Sequence, residues 1–306
     1  MKDKLKEFTH LDADESAIFL RQLEHLKSKT FDKKFTNLRQ REIIPVSFEA
    51  DPADETITYE QFDQVGMARI VRDYSTDFRV SDVKAKEFTA RVKSFGDAYQ
   101  YSVQEVRAAA KTGKPLVQRK ANASKRAIMQ LENKVAYFGD ADHGLGGFFN
   151  NANVPTVVLP NAGAWSGLTP DQILQNLSAV ANNPIRVSNG VETPNTLLLP
   201  IDEYTEIADR PRSTTSDTTI LEFFLKSNPF IQQVMWLEEL KDGGGAGVKR
   251  MIAYNRDPDS LSLEIPQDFE QFPVQEKGLA FKVPTHERCA GVLFYYPLSA
   301  TYADIV

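Results

Sequence analysis

The residues best suited to chemistry in this 306-residue sequence lie in a few short clusters. His286-Glu-Arg-Cys289 sets an imidazole three residues from the chain's single thiol, a pair that could supply a nucleophile and its base. It stands at the start of a strongly apolar run, where a cysteine is usually a small core residue. The four histidines, His10, His25, His143 and His286, are scattered, so no triad can be drawn. A cysteine-dependent hydrolase therefore stays only as a distant alternative. Asp140, Asp142 and His143 are groups of the kind that hold zinc or manganese. They are crowded into four residues without regular structure, and Asp also favours helix ends and turns for backbone reasons, so a turn is the expected reading. Gly144-Leu-Gly-Gly147 fails as a dinucleotide fingerprint, because its third glycine position is Phe149 and a helical pattern rather than a strand precedes it. A glycine-rich turn at a helix end fits better. Asp242-Gly-Gly-Gly-Ala-Gly247 lacks the lysine and hydroxyl residue of a phosphate loop and reads as a long hairpin tip between two strands. No nucleophile-elbow, zinc-protease or Walker-type motif is present. Nothing here argues for an enzyme, a metal site or a cofactor.

The composition, 42% hydrophobic and 25% charged, is that of a globular chain. One cysteine excludes an intramolecular disulfide. The longest strongly apolar stretch, 197–201, contains Pro200 and is far short of the roughly 20 residues of a membrane span. With no apolar segment behind the charged N-terminus, a soluble protein made in the cytoplasm is expected. The net charge of −6 speaks against a dedicated nucleic-acid binder, but charge is unevenly placed. Residues 27–41 hold six basic side chains against Asp32, residues 114–134 hold six against Glu132, and residues 257–276 hold six carboxylates with no lysine or arginine. Such polarity suits parts that face different surroundings or different neighbouring subunits.

Elements must position these clusters. Asp12 and Glu15 have capping-box spacing ahead of Phe19, Leu23 and Leu26, which predicts a short amphipathic helix within an N-terminal arm ending at Pro45. Alternation over 57–62, 78–83 and 88–92 predicts long, polar hairpins with little core of their own. Ser102 and Glu105 cap a helix over 103–111, and a second helix of about 22 residues runs over 117–138 to Gly139. Ile128, Leu131, Val135 and Phe138 give it one apolar stripe. A mixed region then opens at Thr169-Pro-Asp-Gln172, with threonine as N-cap and proline at the first helical position. Strands are expected at 195–200, 231–237, 250–254, 279–283 and 290–296, and helices near 204–208 and 216–226, an α+β pattern without internal repeats.

In this order the stretches Tyr101-Ser-Val-Gln-Glu-Val106, Gly113-Lys-Pro-Leu116, Leu131-Glu-Asn-Lys-Val-Ala-Tyr-Phe-Gly-Asp140 and Gly144-Leu-Gly-Gly-Phe-Phe-Asn150 resemble the tailed-phage major capsid protein family, whose fold encapsulin shells share. The ending, Cys289-Ala-Gly-Val-Leu-Phe-Tyr-Tyr-Pro-Leu-Ser-Ala-Thr-Tyr-Ala-Asp304, is similar to that family's closing strand, with Ile305 where a glycine often stands. The resemblance implies the Hong Kong 97-like (HK97-like) α+β fold. Residues 1–45 would be the arm, 46–98 the extended β-hairpin loop, and 99–168 the peripheral domain with its spine helix. Residues 169–282 would be the axial domain, and 283–306 a C-terminal strand returning to the peripheral domain. It implies a structural protein that self-assembles, as hexamers and pentamers, into an icosahedral shell around the genome of a tailed double-stranded DNA phage. Its place would be the virion capsid, after synthesis in the host cytoplasm. Partners implied are further copies of itself, a separate scaffold, a portal, decoration proteins and non-specifically held DNA, with no membrane. Lys33, Lys34, Arg39 and Arg41 would form an interior basic arm facing that DNA. An encapsulin-type compartment shell is the nearest alternative.

Overall fold

The computed structural model describes residues 36–65, 82–112, 116–213 and 217–305. The helix expected near 12–26, Lys33, Lys34 and the Gly113–Pro115 break lie outside these residues, as does most of the strand expected over 78–83. The described chain begins with a four-residue helix, α1 (Gln40–Ile43), and a short strand, β1 (Val46–Ser47). Next come β2 (Thr56–Val65), β3 (Asp82–Arg91) and β4 (Lys93–Ser102). Two helices follow, α2 (Val103–Thr112) and the 23-residue α3 (Leu116–Phe138), roughly 35 Å long at 1.5 Å per residue. Ser102 and Glu105 close the expected capping box on α2, the Glu105 backbone N–H donating to Ser102 Oγ at 3.1 Å and the Ser102 N–H to Glu105 at 2.9 Å.

The helix expected from Thr169 is present. Thr169 caps α4 (Pro170–Val187) reciprocally with Gln172, and proline occupies the first turn, where its missing N–H costs nothing. Then follow β5 (Thr196–Leu199), α5 (Ile201–Asp209), α6 (Ile220–Ser227), β6 (Gln233–Trp236) and β7 (Lys249–Tyr254). The chain closes with β8 (Leu261–Glu264), β9 (Gln267–Gln271), β10 (Gln275–Lys277), β11 (Ala280–Cys289), β12 (Gly291–Phe294) and β13 (Ala300–Ile305). Four sheets result: β1-β8-β12, β10-β11-β4 with β9 also on β11, β13-β7-β5-β6, and the separate ribbon β2-β3.

The sheet β13-β7-β5-β6 divides two cores by simple alternation. Leu198, Ile252, Tyr254 and Tyr302 point to one core, shared with α3 and the β1-β8-β12 sheet. Leu197, Leu199, Met251 and Ala253 point to the other, covered by α4, α5 and α6. Burial on both faces explains why β5 is a run of leucines rather than an alternating strand.

Two expectations are corrected by this topology. The glycine run at 242–247 is no hairpin tip, since β6 and β7 are not neighbours but flank β5, one parallel and one antiparallel to it. A short 3-10 turn, Glu238–Asp242, leads instead into a loop closed by Gly244 N–H donating to Val248 O at 3.0 Å. The closing segment is three strands rather than one. β11 pairs with β4 over ten residues, β12 pairs with β8, and the last strand, β13, pairs with β7. Gly291, at φ 78°, and the 3-10 turn Pro297–Ser299 supply the corners that a single strand would lack.

Candidate assembly surfaces

Among the described residues the ribbon β2–β3 is the least self-sufficient part. Its strands pair antiparallel over ten positions, from Thr56 opposite Arg91 to Val65 opposite Asp82. None of its described side chains is buried. What holds it is local: Tyr59 stacks on Phe88 across the ribbon at 5.2 Å, and the Thr58 and Thr89 hydroxyls meet at 3.2 Å. Its root is tied to the body. Tyr59 sets its ring edge against Tyr295 at 4.9 Å and donates its hydroxyl to the Phe294 carbonyl at 3.3 Å, while Arg288 donates to the Pro52 carbonyl. Farther out Phe62 is 60% exposed and Val83 57%. Among the described residues this two-stranded ribbon, with Phe62 and Val83 exposed between charged side chains, lacks the third layer that sheets need. Beneath its root runs a groove of about 710 Å³, lined by the carboxylates of Glu49, Asp54, Glu60 and Asp259.

The spine helix α3 packs along β4 and β11 through a ridge at four-residue spacing: Ser124, Ile128, Glu132 and Ala136 are all buried. The predicted stripe is corrected at one position, because Leu131 is 42% exposed while its neighbour Glu132 is wholly buried. The reason is Arg41, which follows Arg39 into α1 and reaches across to α3. Its guanidinium donates to both Glu132 oxygens at 2.8 Å and to Asp268 at 2.8 Å, so a charged residue takes the inward place. Leu131 is left on the outer surface as a second apolar point.

The end of α3 accounts for the glycines that follow it. Gly139 turns at φ 69°, and the chain folds back so that Phe148 and Phe149 N–H donate to the Ala136 and Tyr137 carbonyls at 2.8 and 2.9 Å. Asn150 Nδ2 donates to the Phe138 carbonyl at 2.6 Å. The open carbonyls of the helix end are thereby satisfied. Tyr137 stacks on Phe149 at 4.9 Å, and Arg250 and Tyr302 donate to the Phe149 and Phe148 carbonyls at 2.6 Å each. A Cβ on Gly147 would land on the backbone of Phe138 and Gly139.

The residues with catalytic potential are otherwise employed. Along β11 buried and half-buried positions alternate, so Cys289 points inward and His286 to the opposite face, where Nδ1 meets Gln267 at 3.1 Å. Burial pushes the Cys289 thiol up to about 12. Asp140 accepts from the Asp142 and His143 backbone N–H groups and meets the exposed His143 ring at 2.7 Å, a turn as expected. Among the described residues no cluster of His, Cys, Asp and Glu is arranged to hold a metal, and no helix is long and apolar enough to cross a membrane.

Of the four basic arm residues singled out by sequence, Arg39 and Arg41 are described. Arg39 pairs with Glu42 at 2.8 Å, donates to the Trp236 carbonyl at 2.7 Å and lies 5.0 Å from the Trp236 ring centre. Arg41 is bound as described above. Both guanidinium groups are engaged by the chain itself, so a phosphate would have to compete with bonds already made. The acidic run 257–276 is likewise divided: Glu264 is buried and accepts from Tyr295 at 2.9 Å, and Asp268 serves Arg41. The meeting of Arg41, Glu132 and Glu287 was not foreseen from sequence. Its one trace there is a glutamate standing between apolar positions of a helix.

The model of the family described as Major capsid protein matches residues 66–306. Among curated proteins no sequence relative is found. Among solved structures, the capsid of Myoviridae phage XM1 superposes with a TM-score of 0.81 at 17% identity, covering 94% of this chain and 98% of that one. The capsid of a native GTA particle follows at 0.63 and 11%, covering 97% and 100%. A virus-like particle from Pyrococcus furiosus gives 0.53 and 11%, covering 88% and 92%. At these identities the likeness is one of fold, and the fold is the HK97-like one. The family match spans most of the chain, and an open ribbon and exposed apolar points are what a shell subunit offers its neighbours: the chain belongs to the Major capsid protein family, and its role is that of a structural shell protein.

Proposed function

We propose that this chain is the major capsid protein of a tailed double-stranded DNA phage, assembling as hexamers and pentamers into an icosahedral shell around the genome. The observation that carries this reading is the ribbon β2–β3, which has no buried described side chain of its own and exposes Phe62 and Val83, a surface suited to cover by a neighbouring subunit. Heterologous contacts of this kind close into shells when repeated about rotation axes. On this reading 1–45 is the arm, 46–98 the extended loop, 99–168 the peripheral domain and 169–282 the axial domain, with 283–306 joining them. The protein is not an enzyme. It is made in the host cytoplasm, assembles with a separate scaffold, a portal and decoration proteins, and holds DNA without sequence preference. Since Arg39 and Arg41 are paired internally, contact with DNA falls to Lys33 and Lys34. Nuclease treatment of particles from a lysate tests the reading. Protected double-stranded DNA is expected, whereas particles filled with protein and no nucleic acid would mark a compartment shell instead. Unchanged DNA content and particle yield in the double variant Lys33→Gln, Lys34→Gln would remove the DNA-facing role from the arm.

A further inference from the structure

Where α3 crosses β11 lies a cluster of charges buried within the chain. Glu132 of α3 and Glu287 of β11 are both wholly buried. Glu132 accepts from Arg41 twice, at 2.8 Å, and from Gln40 at 3.3 Å. Among the described residues no donor reaches either oxygen of Glu287, and Arg41 stays 3.9 Å from it. The other charged or titratable groups facing this point are Asp268 of β9, which takes the third Arg41 bond, Lys125 of α3 beyond Asp268, and Cys289 on the same face of β11. One guanidinium therefore stands against three carboxyl groups, two of them wholly buried. Ionising all three would leave a buried negative charge with no partner, which proteins avoid by keeping a proton.

Two carboxyl groups in contact hydrogen-bond only when one of them is protonated. Glu132 already accepts three hydrogen bonds and Glu287 none, so the proton belongs to Glu287. Burial first, and then the facing Glu132, push Glu287 up to about 8.

We propose that a proton held by Glu287 and donated to Glu132 closes a latch, which fastens residues 38–44 to the spine helix through Arg41 and opens when that proton is lost. Once Glu287 is ionised, two like charges face each other in a dry seam, and admitting water relieves them. The lightest element over that seam is α1, only four residues long. Its other ties are the buried side chains of Ile43 and Ile44, the Tyr254 hydroxyl donating to the Ile43 carbonyl at 2.7 Å, the Arg256 guanidinium donating to the Glu42 carbonyl, and Arg39 against Trp236. The latch is intramolecular and stands whether or not the preceding arm reaches a neighbour.

Hydrogen exchange of the full-length protein at about pH 6 and about pH 9, corrected for the intrinsic pH dependence of exchange, tests it. Amides of residues 40–44 are expected to lose about a hundredfold in protection, since Glu287 in the opened seam ionises in its ordinary range and each pH unit from 6 to about 8 then favours opening about tenfold. Those of β5 and β7 should not change. Glu287→Gln, which keeps the shape and donates permanently to Glu132, should hold residues 40–44 protected at both pH values. Should that variant not fold, Glu132→Gln leaves Glu287 alone with Arg41 and should remove the step as well. Equal protection of the wild-type segment at the two pH values, or the same loss in the variant measured, overturns the proposal.

Discussion

Truncating Phe62 to alanine asks directly whether the exposed apolar side chain of the ribbon is covered by another subunit. Phe62 lies opposite Ala85, a small partner, and is 60% exposed. A phenylalanine side chain presents on the order of 200 Å², so about 120 Å² remains to be removed from water on assembly. At about 25 cal/mol per Å² that contact is worth about 3 kcal/mol, of which alanine retains about a third. The loss of about 2 kcal/mol per subunit raises the concentration needed for assembly about thirtyfold. Light scattering against subunit concentration reads this threshold, and thermal unfolding of the unassembled subunit is the control. Because the side chain buries little within its own chain, subunit stability should stay within about 0.5 kcal/mol of wild type. A threshold that moves less than about threefold, or a subunit that itself loses more than about 1 kcal/mol, would refute the reasoning.

Three further outcomes follow from the interior. Gly147→Ala forces a Cβ onto the backbone of Phe138 and Gly139 and should cost at least about 2 kcal/mol in chemical denaturation, while Gly167→Ala, with open space around it, should be nearly neutral. The Cys289 thiol, fully buried and held up to about 12, should react with alkylating reagents at neutral pH only as fast as the subunit unfolds; labelling at the rate of a free thiol would contradict its placement. Glu287 titrates above its ordinary 4.5, so between that pH and about 8 the folded state binds more protons than the unfolded one. Its contribution to stability therefore falls as pH rises through this window, by about 1.4 kcal/mol per unit. Denaturant midpoints at several pH values should show a shallower fall in Glu287→Gln, and parallel slopes would sink the assignment.

Local signals carried most of the fold. The capping boxes at Ser102 and Thr169, and the glycine after Phe138, mark helix ends because the groups that satisfy the open backbone are only three or four residues away. Strand partners were not legible. That β6 and β7 both flank β5, or that β11 to β13 part company into three sheets, is decided by pairings across tens to hundreds of residues. The helix stripe misled at Leu131 for the same reason, since only Arg41, distant in sequence, makes Glu132 the inward residue. The surfaces were partly legible: alternation over 57–62 and 88–92 among many charges pointed to polar hairpins with little core of their own, although the strand bounds, 56–65 and 82–91, were not read. The engagement of Arg39 and Arg41 by Trp236, Glu132 and Asp268 was not, because a basic run looks the same whether its charges are free or paired at home.

The most direct test of the shell account is to produce the chain alone and examine the soluble fraction by size-exclusion chromatography and electron microscopy. Closed shells, or hexamers and pentamers that convert into shells, are predicted. A monomer or dimer that persists at every concentration and salt condition, even with phage lysate added, would contradict it.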